Sequence, residues 1–405
     1  MKTAVVGGGA AGFFLAVNLK ECCPEMEVTI LERSHKVLAK VEVSGGGRCN
    51  CTNTFGDVAD LADVYPRGHR LMKRLLKGFS QRDAYKWFEH HGVRLMVQDD
   101  GCVFPASQDA HSIMDCLVGE ARRLGVEIRM GERVMSFQQL EGYDFVVVTT
   151  GGTPQATSLD WLAEAGHEIV LPVPSLFSLR VDDERLHALM GTVVEPVAAM
   201  LPGTKFRAEG ALLVTHWGLS GPAILKLSSY AARHLAEQNY RAVMSLNWTF
   251  RRDHEVAELL AEHATANGRR LIRNAPPCGL TVRLWEYIVD KHLGQRGEDS
   301  WGSVSRKETN RMANVLSGGD MYQIGGRAPF KDEFVTCGGI ALQSVNPATL
   351  ESRHVPRLYF AGEVLDIDGI TGGFNFQAAW TTAYTVARAI TERFHQKHSN
   401  IQVFK

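Results

Sequence analysis

The feature that most constrains this chain lies at its start. Lys2 to Val6 reads as a short buried strand and runs straight into Gly7-Gly8-Gly9-Ala10-Ala11-Gly12, followed by an apolar helical stretch from Phe13 to Leu19. In a G-x-G-x-x-G turn the first glycine permits the tight bend and the second lets backbone approach a pyrophosphate. The third allows the helix to pack closely on the strand. The helix start then offers unpaired N–H groups to phosphate. A second strand, Glu27 to Leu31, ends in Glu32, twenty residues beyond Gly12, where a carboxylate can accept from ribose hydroxyls. Strand, glycine turn, helix and acid together predict dinucleotide binding rather than a merely structural turn.

A second glycine loop follows: Lys40 precedes Ser44-Gly45-Gly46-Gly47-Arg48-Cys49-Asn50-Cys51-Thr52-Asn53. Three consecutive glycines expose successive backbone donors, Arg48 can neutralise phosphate charge, and Asn50 can reach a flat heteroaromatic edge. Flexibility alone would be served by Gly and Ser, so contact with an extended ligand is favoured. Cys49 and Cys51 form a C-x-C pair whose only basic neighbour is Arg48, which favours packing over redox chemistry.

Composition narrows the class. The 405 residues suffice for roughly two to three domains, which excludes a peptide hormone or a small disulfide scaffold. Lys plus Arg number 44 against 45 Asp plus Glu, so overall charge demands neither nucleic acid nor an anionic membrane. The eight cysteines show no C-x-x-C pair and no Cys/His set at zinc-ligand spacing, so reduced thiols in a cytoplasmic compartment are expected and no metal is assigned. The apolar start resembles a signal peptide in hydropathy, but the nucleotide motif explains it, and no run of 18 apolar residues is available to span a membrane.

Further along, Val126 to Met130 and Tyr143 to Thr149 read as added strands of the first sheet, with helices over Arg70 to His91 and Ser112 to Leu124. From Pro172 to Trp248 the pattern turns to short alternating runs, among them Val193 to Leu201 and Ala211 to Thr215, and predicts a barrel-like insert. Asp253 to Leu316 carries helical runs, and strand-like residues return near Val335. Within THWGLSG, the residues His216, Trp217 and Ser220 are candidate substrate contacts. Arg67, Arg70, Lys73, Arg74 and Lys77 lie mostly at helical spacing among leucines and are read as a solvated face. Near the C-terminus Leu358 to Ala361 reads as a strand, and Gly372-Gly373 opens a helix from Phe374 to Phe394. The positive end of that helix would stabilise negative charge on a bound cofactor, with Asn375 and Gln377 adding amide hydrogen bonds.

These stretches, with CVFPAS at 102–107, VVTTGG at 147–152, THWGLSGPAILKLS at 215–228 and LYFAGEVLDIDGITGGFNFQAAW at 358–380, resemble the bacterial flavoproteins of the aminoacetone oxidase-like type. That family also contains a bile-acid dienone reductase. The resemblance covers nearly the whole chain. It implies an α/β fold: a Rossmann-like FAD-binding domain of the glutathione reductase class, with an inserted β-barrel domain and a small helical domain. The implied boundaries are 1–170 with 340–405 for the FAD domain, 171–250 with 318–339 for the barrel, and 251–317 for the helical subdomain. FAD is the implied cofactor, held by Gly7, Gly9, Ala10, Ala11 and Gly12, by Glu32 with Arg33 on the adenosine ribose, and by Lys40 and Ser44, Gly45, Gly46, Gly47, Arg48, Cys49 and Asn50 along pyrophosphate and flavin. Val134 would offer backbone to adenine, and Thr150, Gly151 and Gly152 would close the loop after the fifth strand. Gly362, Glu363 and Asp366 would face the ribityl or phosphate region, and Gly373, Phe374, Asn375, Phe376 and Gln377 would cap the pyrimidine. The family's longer glycine-rich segment after TGG is missing here. No second G-x-G-x-x-G unit exists for a nicotinamide domain, so NADPH or NADH would bind transiently as electron donor.

The expected function is therefore an FAD-dependent oxidoreductase working by hydride transfer on a small organic substrate, with an NAD(P)H-linked reductase as the first choice. An oxygen-using amine oxidase is the alternative, an RNA-modifying flavoprotein is less favoured, and a flavin-binding protein without turnover is a third class. No catalytic side chain is assigned, no nucleic-acid or membrane partner is expected, and oligomeric state is left open.

Overall fold

A computed structural model describes residues 1–153, 156–328 and 335–402. The chain divides into two compact units, residues 1–174 with 331–405, and residues 175–330.

The first unit is built on a five-stranded parallel sheet in the order Leu358–Phe360, Phe145–Val148, Lys2–Val6, Glu27–Glu32, Glu127–Met130. Parallel strands are usually covered on both faces, which is why Lys2–Val6 and Phe145–Val148 read as apolar runs rather than alternating ones. Helix Ala10–Cys22 leaves the first strand and is buried from Ala11 to Leu19. Phe14 meets Trp87 at 4.5 Å and Trp380 at 5.1 Å between ring centroids, so this helix packs on the helix Phe374–Gln402. Each such ring taken from water contributes about 1.5–3 kcal/mol. That core holds the two helix starts that matter for the site.

The helical signal over Arg70 to His91 resolves into two helices, His69–Leu75 and Gln81–His90. The break is local chemistry. Gly78 weakens the helix, and Ser80 and Asp83 form a capping box in which Ser80 N–H donates to Asp83 Oδ2 at 2.8 Å.

The second unit contains a closed antiparallel barrel in the order Val193–Met200, Arg207–Thr215, Gly218–Ser220, Leu179–Val181, Ser317–Arg327, Ala242–Asn247. A bulge falls between Val194 and Val197, where Pro196 has no N–H to give the ladder. The helices Asp253–Ala266, Val282–His292 and Arg306–Leu316 share this unit with the barrel. The strand Val335–Ile340, expected beside the barrel, instead pairs with Ile169–Ser175 in a two-stranded sheet. Gly338 permits the pairing, since a Cβ there would lie 2.6 Å from the Leu171 carbonyl oxygen, while Gly339 lets the strand close on another segment, where a Cβ would lie 2.3 Å from the Val364 carbonyl oxygen. Only glycine permits backbones that close.

Among the described residues no helix is long and apolar enough to cross a membrane.

Candidate cofactor site

The N-terminal glycines divide their work. A Cβ on Gly7, where φ is +119°, would strike the Thr149 carbonyl oxygen at 2.5 Å, and one on Gly12 would lie 2.1 Å from the Gly7 carbonyl oxygen. Gly7 lets the turn close on the end of the neighbouring strand, and Gly12 lets the helix close on the turn. Gly9 differs, because a Cβ there would meet nothing within 4 Å. It is the N-cap of a helix that starts at Ala10 and Ala11 with no side-chain cap and no acidic residue in its first turn. Orphan N–H groups therefore sit beside open space, the arrangement that binds an anion.

Glu32 is half-buried at the end of the second strand, and its carboxylate is already gripped by backbone: Gly8 N–H donates to Oε2 and Ser34 N–H to Oε1, each at 2.8 Å. Two acceptor positions remain for ribose hydroxyls. Arg33 beside it is exposed, and Val134 lies outside any helix or strand just beyond Glu132, whose N–H donates to the Glu32 carbonyl at 2.9 Å.

In the second loop the helix from Ala39 gives way at Ser44, whose ψ is 146°. Gly45, Gly46 and Gly47 then all take positive φ, at 58°, 69° and 82°. Gly46 faces open space, like Gly9, so a second stretch of bare backbone is available to a ligand. Arg48 is half-buried; its Nε donates to the Gly45 carbonyl at 3.1 Å, and its guanidinium lies over the Phe104 ring at 4.3 Å. Cys49 and Cys51 are fully buried, and burial pushes the Cys49 thiol up to about 12 and the Cys51 thiol well above its ordinary range. They pack as neutral thiols.

The loop after Phe145–Val148 meets the C-terminal strand's turn. Thr150 is exposed and Gly151 has φ +72°. A Cβ on Gly152 would lie 2.5 Å from both Glu363 Oε1 and the Thr336 side chain. Glu363 accepts from Lys40 Nζ at 2.8 Å and from Thr336 N–H at 2.7 Å, so Lys40, expected at the cofactor, reaches the acid expected there too. Gly362 packs without a side chain against Ala11, and Asp366 N–H donates to the Ile340 carbonyl at 3.0 Å.

At the C-terminal helix start the amides behave differently from expectation. Asn375 makes a paired contact with the Gly369 backbone, accepting its N–H at 2.8 Å and donating to its carbonyl at 2.9 Å. Gln377 is fully buried, accepting from Thr52 Oγ1 at 2.6 Å and donating to Thr381 Oγ1 at 3.0 Å. Both side chains hold the turn. Asn50, with its amide oriented to match donors to acceptors, donates to the Thr52 carbonyl at 2.8 Å and accepts from Gly373 N–H at 3.2 Å, tying the two glycine loops together. Phe374 is buried against Phe55 and Tyr65, and Phe376 stacks on Trp380 at 5.7 Å.

Two residues that hold this site, Tyr65 and Trp380, carried no local signal for their contacts, and Arg67, read from sequence as part of a solvated face, instead lies before the helix and is paired inward. Tyr65 donates its hydroxyl to the Phe374 carbonyl at 2.8 Å, Trp380 Nε1 donates to the Cys51 carbonyl at 2.8 Å, and Arg67 pairs with the fully buried Asp368. Their partners lie about 300 residues away in sequence, beyond any periodicity.

In the second unit His216 and Trp217 form the two-residue turn between Arg207–Thr215 and Gly218–Ser220, with rings 4.1 Å apart. His216 is exposed, and Ser220 shares a hydrogen bond of 2.7 Å with Ser178.

The first unit fits FAD on its own evidence: two stretches of bare glycine backbone open to a ligand, an uncapped helix start, a backbone-anchored acid, and a second glycine-opened helix. Gly9, the Ala10 and Ala11 amides, Glu32, Gly46 and the Gly373 turn would hold it.

Comparison with known proteins agrees. The HI0933-like protein Rossmann domain family matches residues 1–389. A ribosomal RNA dihydrouridine synthase of Escherichia coli is 29% identical over 406 residues, covering 95% of this chain and 96% of that protein. A 3-dehydro-bile acid delta(4,6)-reductase of Clostridium scindens is 27% identical over 427 residues, covering 97% and 99%. Among solved structures, a 3-ketosteroid delta1-dehydrogenase from Sterolibacterium denitrificans aligns with a TM-score of 0.47 at 11% identity, covering 96% of this chain and 99% of that one.

Proposed function

The chain belongs to the HI0933-like Rossmann-domain family, an FAD-dependent oxidoreductase family, and from that premise we propose that it reduces a carbon–carbon double bond conjugated to a carbonyl, with a uracil base of ribosomal RNA as substrate. The observation that carries this reading is the agreement of two full-length relatives on one bond change. Dihydrouridine is uridine whose ring double bond next to a carbonyl has been saturated, and a delta(4,6)-reductase of a 3-oxo steroid saturates bonds conjugated to a ketone. For a uracil base this means a hydride gained at the ring carbon β to the carbonyl and a proton at the α carbon.

FAD, when bound, supplies that hydride. NADPH or NADH is the proposed source of the electrons. The protein's own part is to hold the cofactor through Gly9, Glu32 and the glycine loop at 45–47. It also presents the helix beginning at Phe374, whose positive end favours the charge that gathers when electrons arrive. This ordering puts RNA ahead of the small organic substrate expected from the sequence, because balanced net charge speaks of the whole surface and not of one face.

A small enone is the second reading, favoured by the Clostridium scindens relative. The deciding experiment records the visible spectrum anaerobically, adds NADPH or NADH, then adds in-vitro transcribed ribosomal RNA. Flavin reoxidation by RNA, with nucleosides gaining two hydrogens by mass spectrometry, is expected. Reoxidation by a steroid enone and not by RNA would move the substrate to the second reading, and reoxidation by oxygen alone would make the protein an oxidase.

A further inference from the structure

We propose that the exposed face of helix His69–Leu75 and the turn after it, carrying Arg70, Lys73, Arg74 and Lys77, is the surface on which the phosphate backbone of an RNA substrate docks. The proposal rests on the RNA reading above and adds to it the place where RNA is held.

The four cations stand at i, i+3, i+4 and i+7, so they share one side of the helix, while Leu71, Met72 and Leu75 are buried on the other. All four are exposed, and none is engaged in an ion pair among the described residues. The chain as a whole carries 44 basic and 45 acidic side chains, so this stripe is a local excess. Lys73 and Arg74 lie in the last turn of the helix and Lys77 just beyond it, and no acidic residue stands in the first turn beside Arg70.

The position of the stripe connects it to the site. The helix springs directly from residues 64–68, which grip the loop leading into Gly372 and Gly373. Ile370 N–H donates to the Val64 carbonyl at 2.9 Å, Tyr65 to the Phe374 carbonyl at 2.8 Å, and Arg67 to Asp368, while a Cβ on Gly68 would lie 2.7 Å from Ile367. RNA held on this helix would thus be registered against the turn that opens the C-terminal helix.

Four phosphates neutralised on a single strand give a slope of log K against log salt of about −3. The test titrates the flavin-loaded protein with in-vitro transcribed ribosomal RNA at several salt concentrations, using the native chain, K73E/R74E and the milder K73Q/R74Q. Flavin absorbance and circular dichroism check that each variant is folded. Expected is a native slope near −3, a loss of at least about tenfold in affinity for K73E/R74E, a slope near half the native value for both variants, and a smaller loss for K73Q/R74Q. Native binding that survives in both variants would overturn the docking face and leave the RNA reading standing. No binding by the native chain at low salt would overturn both.

Discussion

Arg67 closes its guanidinium on both oxygens of Asp368, Nε donating to Oδ1 at 2.5 Å and the terminal nitrogen to Oδ2, and the carboxylate has no exposure to solvent. The two residues also form an isolated bridge between their backbones. A fork geometry of this kind orders what it joins, here the segment before helix His69–Leu75 and the loop before Gly372. Removing one partner leaves a buried charge uncompensated. Arg67→Met is therefore expected to cost about 3–5 kcal/mol in urea unfolding, and the double change with Asp368→Leu to recover most of it. A single variant as stable as the native chain would show that the pair does not anchor the loop.

Gly9 and Gly12 separate binding from folding. Gly9→Val adds bulk only toward open space, so the protein should fold and lose FAD. Gly12→Ala places a Cβ 2.1 Å from the Gly7 carbonyl oxygen and should destabilise the apoprotein by about 1–3 kcal/mol. Thermal melts with and without FAD distinguish the two. A yellow Gly9→Val protein would refute the pyrophosphate assignment.

Glu32→Ala should weaken FAD by roughly ten- to a hundredfold, the loss expected when a charged acceptor is removed. Because the carboxylate also receives Gly8 and Ser34 N–H, the apoprotein should melt lower as well. Equilibrium dialysis of FAD provides the check, and an unchanged affinity would remove Glu32 from the site.

Cys49 bears on pH. Its thiol is neutral in the folded chain up to about 12, whereas an unfolded thiol ionises near its ordinary 9.0. The folded pKa is raised, so its contribution to stability is complete below 9.0 and is lost progressively between 9.0 and about 12. Cys49→Ala should flatten that part of the alkaline unfolding profile. In the native state a thiol reagent at neutral pH should modify the exposed Cys22 and spare Cys49 and Cys51. Rapid labelling of Cys49 would contradict its burial.

What could be read from sequence was local. Strand, glycine turn, helix and terminal acid appear in the sequence because each depends on neighbours within a few residues and on a fixed spacing, and the structure keeps them at Lys2–Val6, Ala10–Cys22 and Glu27–Glu32. The same locality misleads at Asn375 and Gln377. Their amides sit beside a helix start and read as ligand contacts, yet Gly369, Thr52 and Thr381 claim them.

By itself, then, the sequence determined the dinucleotide-binding architecture and the presence of a second glycine-opened helix. Tertiary structure alone decided that Gly9 faces open space while Gly12 does not. It also decided that Val335–Ile340 pairs with Ile169–Ser175 rather than entering the barrel, and that Arg67 finds Asp368 across 301 residues. The reason is physical: backbone preference and hydrophobic period are written in short windows, whereas the partner of a buried polar group is whichever distant segment the fold brings within hydrogen-bond reach.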